Sequence, residues 1–156
     1  MTDLINPLAD KLAIIQLLNQ FGLAIDLRDW DSLRNLFAES VVFDYSSIGE
    51  VAGTLKPEEI ADTASNDLGG FEATQHVITN HVVELSGNTA TCKAHVRAMH
   101  LLPNNDLESM LEIGGYYIAG LTRKDSSWKI ETWKFVILWS KGEFKLFDLA
   151  KKQPSD

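Results

Sequence analysis

The spacing of apolar residues changes once along this chain, near Phe71, and this change limits the possible folds more than any other feature. Before Phe71, apolar residues recur at the intervals that give a helix one buried face. After it, apolar and polar residues alternate, as they do in strands of a sheet with one buried face. Helices followed by strands indicate an α+β fold in which the helices pack on one face of the sheet.

Three helices are predicted before the change. The first begins at Asn6-Pro7, an asparagine cap followed by proline at the first helical position, and its apolar stripe extends to Ile25. The second is capped by Asp29 and is expected to continue to Phe37. A short strand at 41–45, a loop at 46–55 and a third helix from Pro57 to about Asn66 complete this half of the chain.

Four long strands are predicted after Phe71, and turn sequences between them favour an antiparallel meander. Their approximate bounds are 75–85, 89–102, 107–124 and 128–139. Strands of this length usually curl, and Gly114, Gly115 and Gly120 are suitable positions for bulges that bend the sheet. The long first helix would then lie across the concave face and leave a pocket beneath it.

The composition limits the partners that this chain is expected to have. Its 156 residues suit one domain over residues 1–156, and its formal net charge of −8 repels nucleic acid and anionic membrane surfaces. The first residues lack the basic and apolar segments of a secretory signal, so a cytoplasmic location is expected. The one cysteine, Cys92, is expected to be a small buried residue rather than a nucleophile.

Alternation along the second long strand separates two histidines. His100 shares a face with small apolar residues such as Ala94 and Ala98, whereas His95 shares the other face with Lys93 and Arg97. We therefore expect His100 to point inward and His95 to point outward. The small inward residues would leave room for a ligand, unless larger side chains from the helices fill the space.

Several motifs together resemble those of scytalone dehydratase, and more broadly the SnoaL-like branch of the nuclear transport factor 2-like superfamily. They are the run from Ile25 to Arg34, the Phe43-Asp44-Tyr45 strand, the Thr74-Gln75-His76 triplet, His100 at the end of a strand, and Trp139 before Gly142-Glu143-Phe144. The resemblance covers residues 8–147. It implies a single cystatin-like cone, in which a strongly curved sheet, mixed or mostly antiparallel, carries N-terminal helices over its concave face.

The resemblance also implies a reaction inside the cone that needs no cofactor or metal. His76 would be the general acid and base, Asp26 would orient and charge-stabilise it, Tyr45 would polarise a carbonyl group, and His100 would bind the ligand or transfer a proton. The implied reaction is the elimination of water next to a carbonyl group. The expected ligand is a small, mostly apolar, cyclic molecule that carries a carbonyl group.

Two related enzymes differ from this chain at identifiable positions. The scytalone dehydratases have a tyrosine immediately before the catalytic aspartate, where this chain has Ile25, and their later serine and asparagine have no clear equivalents near 115–120. Hexachlorocyclohexane dehydrochlorinase relies on a lysine near the end of its first helix, where this chain has Asn19-Gln20-Phe21. Dehydration, isomerisation and cyclisation therefore all remain possible reactions.

Other interpretations of the same residues stay open. The domain could be a non-catalytic binding or assembly module, and this would require a filled pocket or a separated Asp26 and His76. Epoxide opening or aldol cyclisation would require Asp44 or Glu112 to point inward. Asp26, His76 and His100 could also ligate a metal, although the same residues already form a metal-free pair.

Tryptophans near the end of the chain predict self-association. Trp128, Trp133 and Trp139 fall on both parities of the last predicted strand, so some of them would face outward. Exposed large apolar residues usually mark an interface. We therefore expect a homodimer or homotrimer.

Overall fold

The structure is a computed structural model and describes residues 6–152. Four helices and six strands are present in this range. The helices are α1 (Pro7–Asp26), α2 (Trp30–Arg34), α3 (Pro57–Leu68) and α4 (Lys145–Lys151). The strands are β1 (Phe37–Asp44), β2 (Ala52–Leu55), β3 (Ala73–Ser86), β4 (Thr89–Leu101), β5 (Met110–Lys124) and β6 (Ser127–Lys141).

The strands form one sheet in the order β2-β1-β6-β5-β4-β3. The predicted antiparallel meander of β3 to β6 is confirmed. The first strand is antiparallel to β2 but parallel to β6, with Phe43 opposite Trp133. The fold is therefore α+β with a mixed sheet, as predicted.

Bulges bend the two central strands at the predicted glycines. The register between β5 and β6 shifts between Gly114 and Gly115, and again between Gly120 and Leu121. A Cβ atom at Gly114 would overlap the indole of Trp139, so this position needs glycine. These shifts curve the sheet toward the side on which α1 packs.

One side of α1 packs into the core of the domain. Ile14, Leu18 and Phe21 are almost fully buried, and the ring of Phe21 lies 4.1 Å from the ring of Trp133 on β6. By length and composition α1 is apolar enough to cross a membrane, but the same apolar residues are those expected of a helix buried in a domain core. Burial of each such side chain stabilises the fold by roughly 1.5–3 kcal/mol.

A buried carboxylate ties the start of α1 to the hairpin between β5 and β6. Asp10 Oδ1 accepts hydrogen bonds from Arg123 Nη1 at 2.7 Å and from Trp128 Nε1 at 3.0 Å. Asp10 is only 9% exposed, and these two donors offset part of the cost of burying its carboxyl group. The bonds join the first turn of α1 to this hairpin.

Two local predictions were wrong because distant contacts decide these segments. The second helix ends at Arg34 rather than Phe37, since Phe37 begins β1 and pairs with Ile130 of β6. The expected loop at 46–55 contains a short 3-10 helix, Ser46–Ile48, and the edge strand β2. The helix α4 was not predicted.

The tryptophans are also placed differently from the sequence-based expectation. Trp128 and Trp133 are both buried, because the register shift in β6 between Ile130 and Thr132 turns both indoles to the same side of the sheet. Trp139 is 44% exposed and Leu138 is 60% exposed. Tryptophans at both odd and even positions of β6 therefore do not indicate an exposed face. Self-association stays a prediction, and it rests on the exposed residues Leu138 and Trp139 near the end of β6.

Candidate active site

A pocket with a cavity volume of about 100 Å³ lies between α1, the concave face of the sheet, α3 and α4. Its walls are mainly apolar, with Ile25 from α1, Ile60 from α3 and Phe147 from α4 among them. The polar groups facing it include His76, His100, Tyr45 and Tyr117. A small number of polar groups in an apolar hollow is typical of a site for a small molecule.

Asp26 is the last residue of α1, and its carboxylate faces the start of β3. Its Oδ2 accepts a hydrogen bond from the backbone N–H of His76 at 2.7 Å, and its Oδ1 accepts one from Thr74 Oγ1 at 3.0 Å. Its Oδ1 also lies 2.7 Å from His76 Nδ1. Burial alone would raise the pKa of Asp26, but the hydrogen bonds and charge attraction from His76, together with the bond from Thr74, lower it below its ordinary value.

The imidazole of His76 is oriented by this carboxylate. An ionised carboxylate only accepts hydrogen bonds, so Nδ1 of His76 donates to Asp26 and Nε2 is the ring nitrogen left for other partners. The side chain of His76 is 6% exposed. Gly22 lets α1 approach closely, because a Cβ there would lie 3.0 Å from the Cβ of His76. Asp26 thus fixes the orientation of the His76 ring beside the pocket.

His100 points into the pocket from β4, as its parity predicts, and is 3% exposed. Its Nδ1 donates to the carbonyl oxygen of Leu111 at 3.1 Å, and its ring centroid lies 6.0 Å from that of His76. Burial, together with the nearby His76, lowers the pKa of His100 to about 4. The ring is therefore neutral near pH 7 and offers Nε2 as an acceptor.

This burial predicts a pH dependence of stability. The unfolded imidazole of His100 takes up a proton below pH 6.5, whereas the folded one does so only near pH 4. Lowering the pH from 6.5 to 4 therefore favours the unfolded state, by about 3 kcal/mol at the lower end. His100→Asn removes the titration and keeps an amide that can donate to Leu111. Urea unfolding over this pH range should show a flatter profile for the variant, and an unchanged slope would contradict the assignment.

Tyr45 lies at the far end of the pocket, directly after β1. Its hydroxyl oxygen accepts a hydrogen bond from Trp133 Nε1 at 3.2 Å, and its ring stacks on Phe43 with centroids 4.8 Å apart. Burial raises the pKa of Tyr45 to about 12, although the hydrogen bonds from Trp133 and Tyr117 lower it. The hydroxyl stays protonated and can donate to an oxygen atom in the pocket.

Two residues of the site were given no role from the sequence, although Thr74 was named as part of the Thr74-Gln75-His76 triplet. Tyr117 on β5 lines the pocket together with Tyr45. Thr74 donates to Asp26. Alternation along the strands indicates both positions. Thr74 lies two residues before His76 and so shares its face of β3, and Tyr117 lies on the inward face of β5.

Other candidate residues lie away from the pocket. Asp44 accepts hydrogen bonds from Ser46, and Glu112 pairs with Arg97 at 2.6 Å on the outer face. His95 Nδ1 lies 2.9 Å from the amide nitrogen of Asn80, also outside. Within residues 6–152, no three His, Cys, Asp or Glu side chains are arranged to hold a metal ion.

The lone cysteine is a buried core residue. Cys92 is fully buried on the inward face of β4, and burial raises the pKa of its thiol to about 11. A thiol in this state is a poor nucleophile at neutral pH. This agrees with the expectation from the sequence.

Comparison with known proteins identifies the same fold and related sequences. A family model described as a SnoaL-like domain matches residues 6–134. The scytalone dehydratase arp1 of Aspergillus fumigatus is 26% identical over 152 residues, covering 91% of this chain and 90% of that protein.

Two solved structures are also similar. The Kfla4162 protein from Kribbella flavida has a TM-score of 0.84 and 26% identity, covering 94% of this chain and 99% of its own. The hexachlorocyclohexane dehydrochlorinase LinA-type3 from Novosphingobium barchaimii has a TM-score of 0.75 and 20% identity, covering 88% of this chain and 92% of its own. The latter likeness shows the fold alone.

Proposed function

The chain belongs to the SnoaL-like domain family, and on that basis we propose that it is a small-molecule enzyme of the lyase or isomerase type. The observation that carries the proposal is the 2.7 Å contact between His76 Nδ1 and Asp26 Oδ1 beside an apolar pocket. A histidine that is oriented by a carboxylate and sheltered from water is suited to general acid and base catalysis.

The proposed reaction is dehydration next to a carbonyl group. His76 Nε2 takes a proton from the carbon beside the carbonyl, and the C–H electron pair moves to form an enolate. The charge of Asp26 stabilises the imidazolium that results. The enolate then re-forms the carbonyl as the C–O bond of the neighbouring hydroxyl breaks, and the imidazolium protonates the leaving oxygen to give water.

Tyr45 and His100 would assist at the two ends of the ligand. The Tyr45 hydroxyl donates to the carbonyl oxygen, where negative charge develops, and the N–H of Trp133 holds that hydroxyl in place. Neutral His100 accepts a hydrogen bond from the hydroxyl that will leave. Isomerisation would use the same proton abstraction, with the proton returned to a different carbon.

The size of the pocket limits the ligand to a small molecule. A dry cavity of about 150 Å³ holds one benzene ring, and this pocket is smaller, with a volume of about 100 Å³. We therefore propose a ligand with no more than one small ring, mostly apolar and bearing a carbonyl group. We also propose that two or three copies associate in the cytoplasm, with the exposed end of β6 as the contact.

The alternatives have less support. A non-catalytic module would have a filled pocket or a separated Asp26 and His76, whereas the pocket is open and the pair is in contact. Epoxide opening or aldol cyclisation would need Asp44 or Glu112 inside, and neither lines the pocket. Elimination or isomerisation by His76 fits the described residues better.

Proton exchange provides a test that does not require the natural substrate. Small cyclic ketones and their β-hydroxy derivatives are incubated with the protein in D₂O, and NMR follows deuterium entering the carbon beside the carbonyl. The wild-type protein should accelerate exchange, and it should convert a fitting β-hydroxy ketone to the enone. His95→Gln, a change outside the pocket, should behave like the wild type. Binding of the ketones without exchange or elimination would refute the proposal.

A further inference from the structure

Arg28 lies two residues after Asp26, and its side chain contacts Thr74, which lies two residues before His76 on β3. We propose that Arg28 is a positioning residue that orients the carboxylate of Asp26 through the hydroxyl of Thr74. Its expected effect on turnover rests on the proposed function, but its effect on the carboxylate does not. Three observations carry the proposal: the backbone at Arg28, the contacts of its guanidinium, and the direction of the hydrogen bonds that lead to Asp26.

The backbone of Arg28 adopts a conformation that usually requires glycine. Its φ is +58°, in the left-handed region. The N–H of Arg28 bonds to the carbonyl of Ile25 at 3.0 Å, and the N–H of Asp29 bonds to that of Ala24 at 2.8 Å. This pair of bonds is a Schellman motif, in which the residue at the position of Arg28 is normally glycine. An arginine here accepts a backbone cost, so its side chain is expected to have a use.

The guanidinium of Arg28 joins the end of α1 to the segment that leads into β3. Nη1 donates to the carbonyl of Ile25 at 3.0 Å and to Thr74 Oγ1 at 2.9 Å. Nη2 donates to the carbonyl of Phe71 at 3.2 Å. The side chain therefore links the two elements that carry Asp26 and His76.

The direction of each hydrogen bond is determined by the groups involved. A guanidinium only donates, so Thr74 Oγ1 must accept from Arg28, and its single proton is left to be donated to Asp26 Oδ1 at 3.0 Å. The positive charge polarises this hydroxyl and strengthens its bond to the carboxylate. Arg28 is not among the residues that line the pocket. It therefore does not touch the ligand, and its hydrogen-bonded route to the active-site pair runs through Thr74 to Asp26.

A glycine variant separates a positioning role from a structural one. Arg28→Gly relieves the backbone conformation but removes the three hydrogen bonds of the guanidinium, so a purely structural role predicts a change in stability with an unchanged titration of Asp26. The positioning role instead predicts that the pKa of the Asp26 carboxyl rises when the donor is lost. Arg28→Lys keeps a positive charge without the planar fork and should restore only part of the wild-type behaviour.

The test is a double-mutant cycle on Asp26. The pKa of its carboxyl is followed by carbon NMR in the wild type, Arg28→Gly, Thr74→Val and the double variant, alongside urea unfolding. Each single change should raise the pKa, and Arg28→Gly should raise it much less once Thr74 is valine. Where a substrate is turned over, kcat should fall about tenfold in either single variant with KM nearly unchanged.

The outcomes decide the proposal without any substrate. Arg97→Gln removes a guanidinium from an ion pair on the outer face, and it should leave the Asp26 titration unchanged. If Arg28→Gly does not move the pKa of Asp26, or moves it equally with and without the Thr74 hydroxyl, the proposal is overturned. If the glycine variant does not fold, Arg28→Lys decides by the same cycle. If the proposed function is wrong but the positioning role is right, the Arg28 and Thr74 variants will still show coupled effects on the pKa of Asp26, and no substrate will be turned over.

Discussion

Replacing His76 with glutamine is expected to lower turnover by about a thousandfold while the domain stays folded. Glutamine has a similar length, and its amide can still donate to Asp26. However, it has no basic nitrogen to take a proton from carbon. The decisive measurement is kcat on the best substrate from the ketone panel, with circular dichroism and thermal unfolding as checks on the fold.

Asp26→Asn provides the companion to this variant. An asparagine at this position offers one acceptor to the donors from Thr74 and His76, and it removes the charge that stabilises an imidazolium. Loss of such a carboxylate lowers turnover by about 10⁴-fold in the serine proteases. If either the His76 or the Asp26 variant keeps full activity, the proposed chemistry is wrong.

Trp133→Ala is expected to destabilise the domain by about 3–5 kcal/mol. The indole is fully buried, and its ring lies 4.1 Å from that of Phe21 and 4.4 Å from that of Tyr117. Its removal opens a cavity where α1, β5 and β6 meet. For a domain of this size, thermal unfolding should shift downward by roughly 10 °C.

Two further variants isolate the cause of this loss. Trp133→Phe keeps most of the packing and removes only the N–H that donates to Tyr45, so it should lose ligand affinity more than stability. Trp139→Ala removes an indole that is 44% exposed, so it should cost far less than the change at Trp133. Equal losses at the two positions would contradict the assignment of Trp133 to the core.

The sheet could be predicted because the alternation of apolar and polar residues is visible within each strand. Alternation alone is enough to place β3 to β6, and it correctly turns His100 inward and His95 outward. The edge strand β2 could not be found in this way, since its four residues carry no buried stripe and are defined by pairing with β1. The position of Phe37 is likewise decided by a partner almost a hundred residues away.

The site was predictable in part. Resemblance to a family placed Asp26 and His76 together, and the structure has them in hydrogen-bond contact. The link from Arg28 through Thr74 was not predicted, because no local pattern indicates which group a long cationic side chain will reach. Alternation also turns Tyr117 of β5 inward, but it does not distinguish a tyrosine that lines a pocket from one that fills the core.

The parallel pairing of β1 with β6 has a consequence for how this protein is made. Both partners of that ladder must exist before it can form, and Phe37 pairs with Ile130, which is almost a hundred residues later in the sequence. A nascent chain emerging from a ribosome therefore carries β1 without its long partner until β6 has been made. Pairing between residues so far apart slows folding, and the apolar face of β1 stays exposed in the meantime.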